Sequence, residues 1–185
     1  MKKLLFLVAV LSSVCAFAQN NKEGAKQLTK FEQYASATGR IVKFQDVKMP
    51  SMPGLMLSGL QTSIRMIMGS EQDVFFYRIE APETTRSIAH IAMIEYSDLV
   101  EINNALKTLT SSVESDIAAN PDYLENKFRT EDGMEVGYYI SNGKASWFLK
   151  LERYTSSTVF PKNQEVIVEA FKNAQAKIEE LKAQR

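Results

Sequence analysis

The segment from Met49 to Leu60 has the most unusual composition of the chain, because three methionines occur among its proline, glycine and leucine residues. Met49, Met52 and Met56 supply thioether sulfur, a soft ligand that selects Cu(I) in oxidising compartments. Flexible methionines also fill irregular gaps or form adaptable apolar surfaces. Since no histidine or cysteine accompanies these sulfurs, the sequence favours the apolar surface and predicts neither a cofactor nor a metal site.

The same segment indicates a binding function. Connections between strands are usually short and polar, so one this long and apolar is unusual. An exposed apolar patch lowers solubility and usually persists because a ligand or partner covers it. We therefore expect Leu55 and Leu57, together with the methionines, to line an apolar groove for an apolar small molecule or a protein partner.

His90 is the sole histidine, in the run Ile88-Ala-His-Ile-Ala-Met-Ile94. Strand alternation places it on the face of Ala92 and Ile94. An imidazole can act as a general base, but no acidic or nucleophilic neighbour in the sequence would orient this one. A half-buried structural histidine is therefore favoured. A secreted hydrolase, with a carboxylate or His90 site assembled in three dimensions, is the alternative hypothesis.

Tyr139 and Phe148 form a third candidate site. Alternation directs both toward the outer face of a predicted sheet, beside cationic side chains such as Lys127 and Lys150. An aromatic surface with a cationic rim suits stacking on a sugar or an aromatic ligand. A second packed layer is the simpler explanation of the same residues.

The remaining chemistry of the sequence is sparse. It contains no nucleophile-elbow serine, no glycine-rich phosphate loop and no histidine or acid cluster with metal-ligand spacing. Paired carboxylates can still meet in space, as in glycosidases. The sequence as a whole therefore favours a non-enzymatic binding protein over an enzyme.

The first eighteen residues have the three parts of a secretory signal. Lys2 and Lys3 precede an apolar run over 4–14, and Ala16-Phe-Ala18 is a small-x-small cleavage site. We expect cleavage near Ala18 and export to the periplasm or the extracellular space. Cys15, the only cysteine, falls within this signal peptide, so the mature chain is expected to fold without disulfides.

Charge and hydropathy exclude two classes of partner. The 22 basic and 22 acidic side chains cancel and are interspersed, so no field attracts a nucleic acid. The apolar run over 4–14 is too short for a stable membrane span.

The pattern of apolar residues predicts the elements that would position these groups. Helical spacing occurs over 20–40, 98–119 and from about 163 onward. The predicted strands are 40–48, 62–68, 74–80 and 84–96, followed by a three-stranded meander over 124–151. In the meander, Asn142-Gly143 is a strong two-residue hairpin signal, which pairs Tyr138 with Trp147 and Glu135 with Lys150.

These elements predict an α+β fold in the order helix, four strands, helix, three strands, helix. Short turns between strands indicate a single antiparallel sheet of about seven strands, with the helices packed mainly on one face. No linker or change in composition divides the chain, so residues 19–185 are predicted to form a single α+β domain.

Overall fold

The computed structural model describes residues 27–36, 38–39, 41–55, 59–69, 73–85, 87–155 and 157–185. The helices in this part of the chain are α1 (Lys30–Ala35), α2 (Tyr96–Ala118) and α3 (Gln164–Ala183). The strands are β1 (Lys43–Met52), β2 (Leu60–Met68), β3 (Val74–Ala81), β4 (His90–Glu95), β5 (Leu124–Arg129), β6 (Glu135–Ser141) and β7 (Lys144–Lys150). The predicted signal peptide, Met56 and Leu57 lie outside the described residues.

The predicted α+β class and element order are confirmed, but the prediction of one seven-stranded sheet is wrong. The strands form two antiparallel sheets, ordered β1-β2-β3-β4 and β5-β6-β7. Strands β4 and β7 do not pair with each other, because backbone groups at their edges form hydrogen bonds with other residues. At β4, the Ile91 N–H donates to the Glu152 carboxylate over 3.0 Å. At β7, Leu149 exchanges hydrogen bonds of 2.8 and 2.9 Å with Val159.

Helix α2 joins the two sheets. Its buried apolar stripe begins with Leu99 and Ile102 and continues through Leu106 and Leu109. The helix contacts β3 and β4 of the larger sheet and all three strands of the smaller one. Helix α3 packs beside it and contacts β1 and β2. A single hydrophobic core therefore contains residues of both sheets and both long helices.

Helix α2 begins two residues before the predicted residue 98. Glu95 is its N-cap and accepts the Ser97 N–H over 2.8 Å. The Asp98 carboxylate is paired with Lys30. Strand β4 therefore passes into α2 with no intervening loop.

Helix α1 lies on the opposite face of the larger sheet from the long helices. Tyr77 of β3 packs on Phe171 of α3, with ring centroids 5.4 Å apart. Its neighbour Phe76 points the other way, where Phe31 of α1 meets it at 5.4 Å. The prediction that the helices pack on one face of the sheet therefore holds only for the long helices, α2 and α3.

Helix α1 begins later than the predicted residue 20 because a capping box defines its start. The Thr29 hydroxyl accepts the Glu32 N–H over 3.1 Å, and the Glu32 carboxylate accepts the Thr29 N–H over 2.8 Å. This reciprocal pair satisfies donors that the first turn leaves free. Gly39 has the expected positive φ of 75°, but it lies beyond the end of the helix.

Strand β1 continues past the predicted end at residue 48 and ends at Met52. Proline lacks the N–H that a central strand needs, but β1 is an edge strand and is irregular between Met49 and Met52. The Thr62 hydroxyl also donates to the Pro50 carbonyl over 2.8 Å. Much of the apolar segment predicted as a loop is therefore part of the sheet.

The register of the smaller sheet is confirmed. Tyr138 lies opposite Trp147, Glu135 opposite Lys150, and Gly137 opposite Phe148. Asn142 and Gly143 have φ values of 51° and 70°, as a type I′ turn requires.

Substitutions at two glycines of the smaller sheet distinguish the cost of backbone strain from the cost of steric overlap. A Cβ at Gly143 would meet nothing within 4 Å, whereas one at Gly137 would lie 2.3 Å from the Asn126 carbonyl oxygen. We expect Gly143→Ala to lower the free energy of unfolding by about 1 kcal/mol through strain alone. Gly137→Ala should cost about 3 kcal/mol, because β5 must move. Urea unfolding measures both, and equal costs would contradict this assignment.

Candidate functional site

The apolar segment is divided between core and surface. Met52 and Leu60 are 1% exposed, whereas Leu55 is 65% exposed. Backbone hydrogen bonds tie the segment to the chain before α3. The Leu55 N–H donates to the Phe160 carbonyl over 2.9 Å, and the Lys162 N–H donates to the Pro53 carbonyl over 3.0 Å. Leu55 is therefore an outward-facing side chain on a well-anchored backbone.

A pocket of about 320 Å³ opens beside Leu55. Its walls come from the end of the apolar segment, the turn between β3 and β4, His90, and the chain between β7 and α3. Its lining residues are Gly54, Leu55, Leu60, Ala81, Pro82, Thr84, Ser87, Ile88, His90, Ser157, Thr158, Val159 and Phe160. Ile88 is 72% exposed, so it and Leu55 form an apolar rim. We call this cavity the Leu55 pocket.

Among the described residues that line the Leu55 pocket, His90 is the one with an ionisable side chain. Its side chain is only 12% exposed, and its Nδ1 lies 3.2 Å from Oε2 of Glu152. The other Glu152 oxygen accepts the Ile91 N–H over 3.0 Å. The structure thus supplies the orienting acid that the local sequence lacks. No sequence signal identifies this partner, because it lies 62 residues away and follows a strand of the other sheet.

A larger cavity of about 550 Å³ lies on the other side of Glu152. Its lining residues come mainly from α1 and the residues before it, from β4, and from the turns before β6 and after β7. Its charged lining residues are Glu32, Arg65, Asp98, Asp132, Glu152 and Arg153, and apolar ones such as Met93 and Leu151 complete it. We call it the acidic cleft. No sequence pattern indicates this cleft, since its carboxylates come from distant elements.

Lys30 neutralises one acid of this cleft. Its ammonium forms an ion pair with Asp98, whose side chain is only 6% exposed. Burial lowers the pKa of Lys30, but the hydrogen bond and charge of Asp98 outweigh it, so that the net shift is upward. The second cation, Arg65, is held by Asp46 through two hydrogen bonds of 2.7 and 2.6 Å. The cations near the cleft are therefore largely engaged.

The negative charge of Asp132 is less well compensated than that of Asp98. Its two oxygens share the Lys30 backbone N–H, at 3.1 and 3.0 Å. Burial raises the pKa of Asp132, and the nearby charges of Asp98 and Glu131 raise it further. The cleft therefore holds a carboxyl group that is more ready to keep its proton than an ordinary aspartate.

The aromatic surface predicted at Tyr139 and Phe148 is only partly exposed. Phe148 is buried at 4% exposure, so it offers no face to solvent. Tyr139 stacks on Tyr123 with centroids 6.2 Å apart. The neighbouring cations, Lys127, Arg129 and Lys150, instead surround Glu135 with charged atoms 3.1 to 3.8 Å away. This arrangement is closer to a packed layer than to an open stacking surface.

The described methionines of this region lie in the core or pack against it. Met49 and Met52 line a pocket of about 210 Å³ between β1 and α3, and Met66 is buried on β2. Cu(I) binding stays the less favoured hypothesis for these sulfurs, because Met56 is outside the described residues. Among the described residues, no three histidine, cysteine or acidic side chains lie close enough to hold a metal ion. The described helices include none with the length and hydropathy needed to cross a membrane.

Comparison of the chain with known proteins adds no assignment. No protein family, curated protein or solved structure matches it. The two cavities and the His90–Glu152 pair between them are therefore the features that bear on function.

The environment of Asp132 predicts how stability depends on pH. Because its folded-state pKa is raised, ionisation of Asp132 lowers the free energy of unfolding at neutral pH. That loss vanishes below the unfolded-state pKa of about 4, where both states are protonated. We expect Asp132→Asn to be more stable than the parent protein at about pH 7 and equally stable at about pH 3.

Urea unfolding at both pH values measures this difference, with Asp122→Asn in an exposed turn as the matched control. A loss of stability in Asp132→Asn at neutral pH would contradict the assigned environment.

Proposed function

We propose that this chain is an exported, non-enzymatic binding protein that holds an apolar small molecule in the Leu55 pocket. The observation that carries the proposal is the exposed apolar rim of Leu55 and Ile88 over a cavity whose described wall contains one ionisable group, His90. Small-molecule sites are concave, mostly apolar and roughly 300–1,000 Å³ in volume. The Leu55 pocket, at about 320 Å³, falls at the lower end of this range.

Two other cavities, the acidic cleft and the pocket beside Met49, suit an apolar ligand less well. An apolar molecule in the acidic cleft would remove water from charged groups such as Asp132 and Glu152 without replacing their hydrogen bonds, which is costly. The pocket beside Met49, at about 210 Å³, is smaller than typical ligand sites. Export is supported by the signal pattern of residues 1–18.

Substitutions at the rim test the binding proposal. Leu55→Asp and Ile88→Asp should each weaken binding of a neutral probe, para-butylphenol, by about tenfold, because a carboxylate at the rim must lose water as the ligand enters. Both side chains are exposed, so the free energy of unfolding should change by less than about 0.5 kcal/mol. Titration followed by NMR measures the affinity, and urea unfolding measures the stability.

Ile41→Asp is the matched control, since Ile41 is fully exposed and lies outside the pocket. This variant should bind the probe like the parent protein. Equal weakening in Ile41→Asp would mean that the probe binds nonspecifically. Strong destabilisation by Leu55→Asp would assign Leu55 to the core and contradict the proposal.

The acidic cleft favours a second candidate function, a hydrolase that uses paired carboxylates. Asp132 has the raised pKa of a general acid, and Asp98 and Glu152 line the same cleft. Glycosides are the substrates on which two carboxylates act in this way. We would expect release of nitrophenol from a nitrophenyl glycoside to fall at least a hundredfold in Asp132→Asn. Leu55→Asp should leave this activity intact, so the two candidates have separate tests.

A further inference from the structure

The hydrogen bonds of Glu152 determine which nitrogen of His90 carries the proton. Oε1 accepts the Ile91 N–H over 3.0 Å, and Oε2 faces Nδ1 of His90 at 3.2 Å. An ionised carboxylate can only accept hydrogen bonds. The proton of the neutral imidazole must therefore lie on Nδ1, between the ring and Oε2.

The other ring nitrogen is then an acceptor. A neutral imidazole carries one proton, so Nε2 presents a lone pair. His90 lines the Leu55 pocket, whereas Glu152 lines the acidic cleft. Within the described part of the chain, Nε2 makes no hydrogen bond. A nearby hydroxyl, that of Ser87, donates to the Ile88 carbonyl over 3.1 Å.

We infer that the Leu55 pocket selects apolar molecules that carry a hydrogen-bond donor, as alcohols and phenols do. A hydroxyl that donates to Nε2 gives the half-buried His90 the partner that this nitrogen lacks among the described residues. An ether or ester of the same shape has only acceptors and would place its oxygen against the Nε2 lone pair. This inference rests on the proposed binding function and adds the chemical class of the ligand.

Glu152→Gln should reverse this preference. The Ile91 N–H requires an oxygen at the Oε1 position, so the side-chain nitrogen of glutamine must face Nδ1 of His90. An amide nitrogen is a donor, which makes Nδ1 the acceptor and moves the ring proton to Nε2. The pocket of this variant would then present a donor to its ligand.

Two measurements test the inference. Ring-nitrogen NMR reports the tautomer without ambiguity, because His90 is the only histidine. It is recorded in a buffer alkaline enough that the imidazole signals no longer change with pH. We expect the Nδ1-protonated ring in the parent protein and the Nε2-protonated ring in Glu152→Gln. Glu180→Gln, at an exposed position of α3, is the matched control and should retain the parent tautomer.

The binding measurement compares para-butylphenol with para-butylanisole, which has the same ring and chain but no donor. The parent protein and Glu180→Gln should bind the phenol about three- to tenfold more tightly, the range expected for one hydrogen bond. Glu152→Gln should bind the anisole more tightly. His90→Phe should bind both equally.

The possible failures are distinguishable. If neither probe binds, the proposed function is wrong, and the ligand class falls with it. Equal binding of both probes to the parent protein would retain the pocket and overturn only the inference about its ligand. An Nε2-protonated ring in the parent protein, or tighter binding of para-butylbenzoate than of the phenol, would also overturn it.

Discussion

The packing of α2 against both sheets is the interaction on which the rest of the structure depends. A three-stranded meander is marginal by itself and needs a helix or another sheet to cover its apolar face. Helix α2 provides that cover while its other contacts hold β3 and β4. The buried residues Leu99, Ile102 and Leu106 have almost no exposed surface, so each contributes on the order of 2 kcal/mol from burial. Neither sheet has a complete core without this helix.

The entry into α2 also explains where the cavities lie. Glu95 is both the last residue of β4 and the N-cap of α2, so the chain turns away from the sheet with no connecting loop. The edge of β4 is left beside the second sheet without being paired to it. The Glu152 side chain bridges the gap between the two sheets and forms hydrogen bonds with Ile91 and His90. The Leu55 pocket and the acidic cleft lie on either side of Glu152. Both candidate sites therefore exist because the strands form two sheets rather than one.

The features predicted well from the sequence are those decided by neighbouring residues. Asn142-Gly143 determined the hairpin register through its need for positive φ, and Asn163 caps α3 by accepting the Val166 N–H over 3.1 Å. The division into two sheets depends on contacts such as Ile91 to Glu152, 61 residues apart, which no local pattern encodes. His90 was placed on the correct face of its strand, but its acidic partner was missed for the same reason. The first strand was predicted to end too early, at residue 48, because a strand tolerates a proline such as Pro50 only where it lies at an edge.

The position of Pro50 has a consequence for how copies of this chain meet. An edge strand exposes a row of backbone donors and acceptors, which can template pairing with another chain and lead to aggregation. In β1, a proline and an irregular register interrupt that row near Met49, and the lysines at 43 and 48 add charge along it. At the opposite edge, a carboxylate already occupies the Ile91 donor. Both borders of the larger sheet are thus protected against strand addition by a second molecule, without the use of a disulfide.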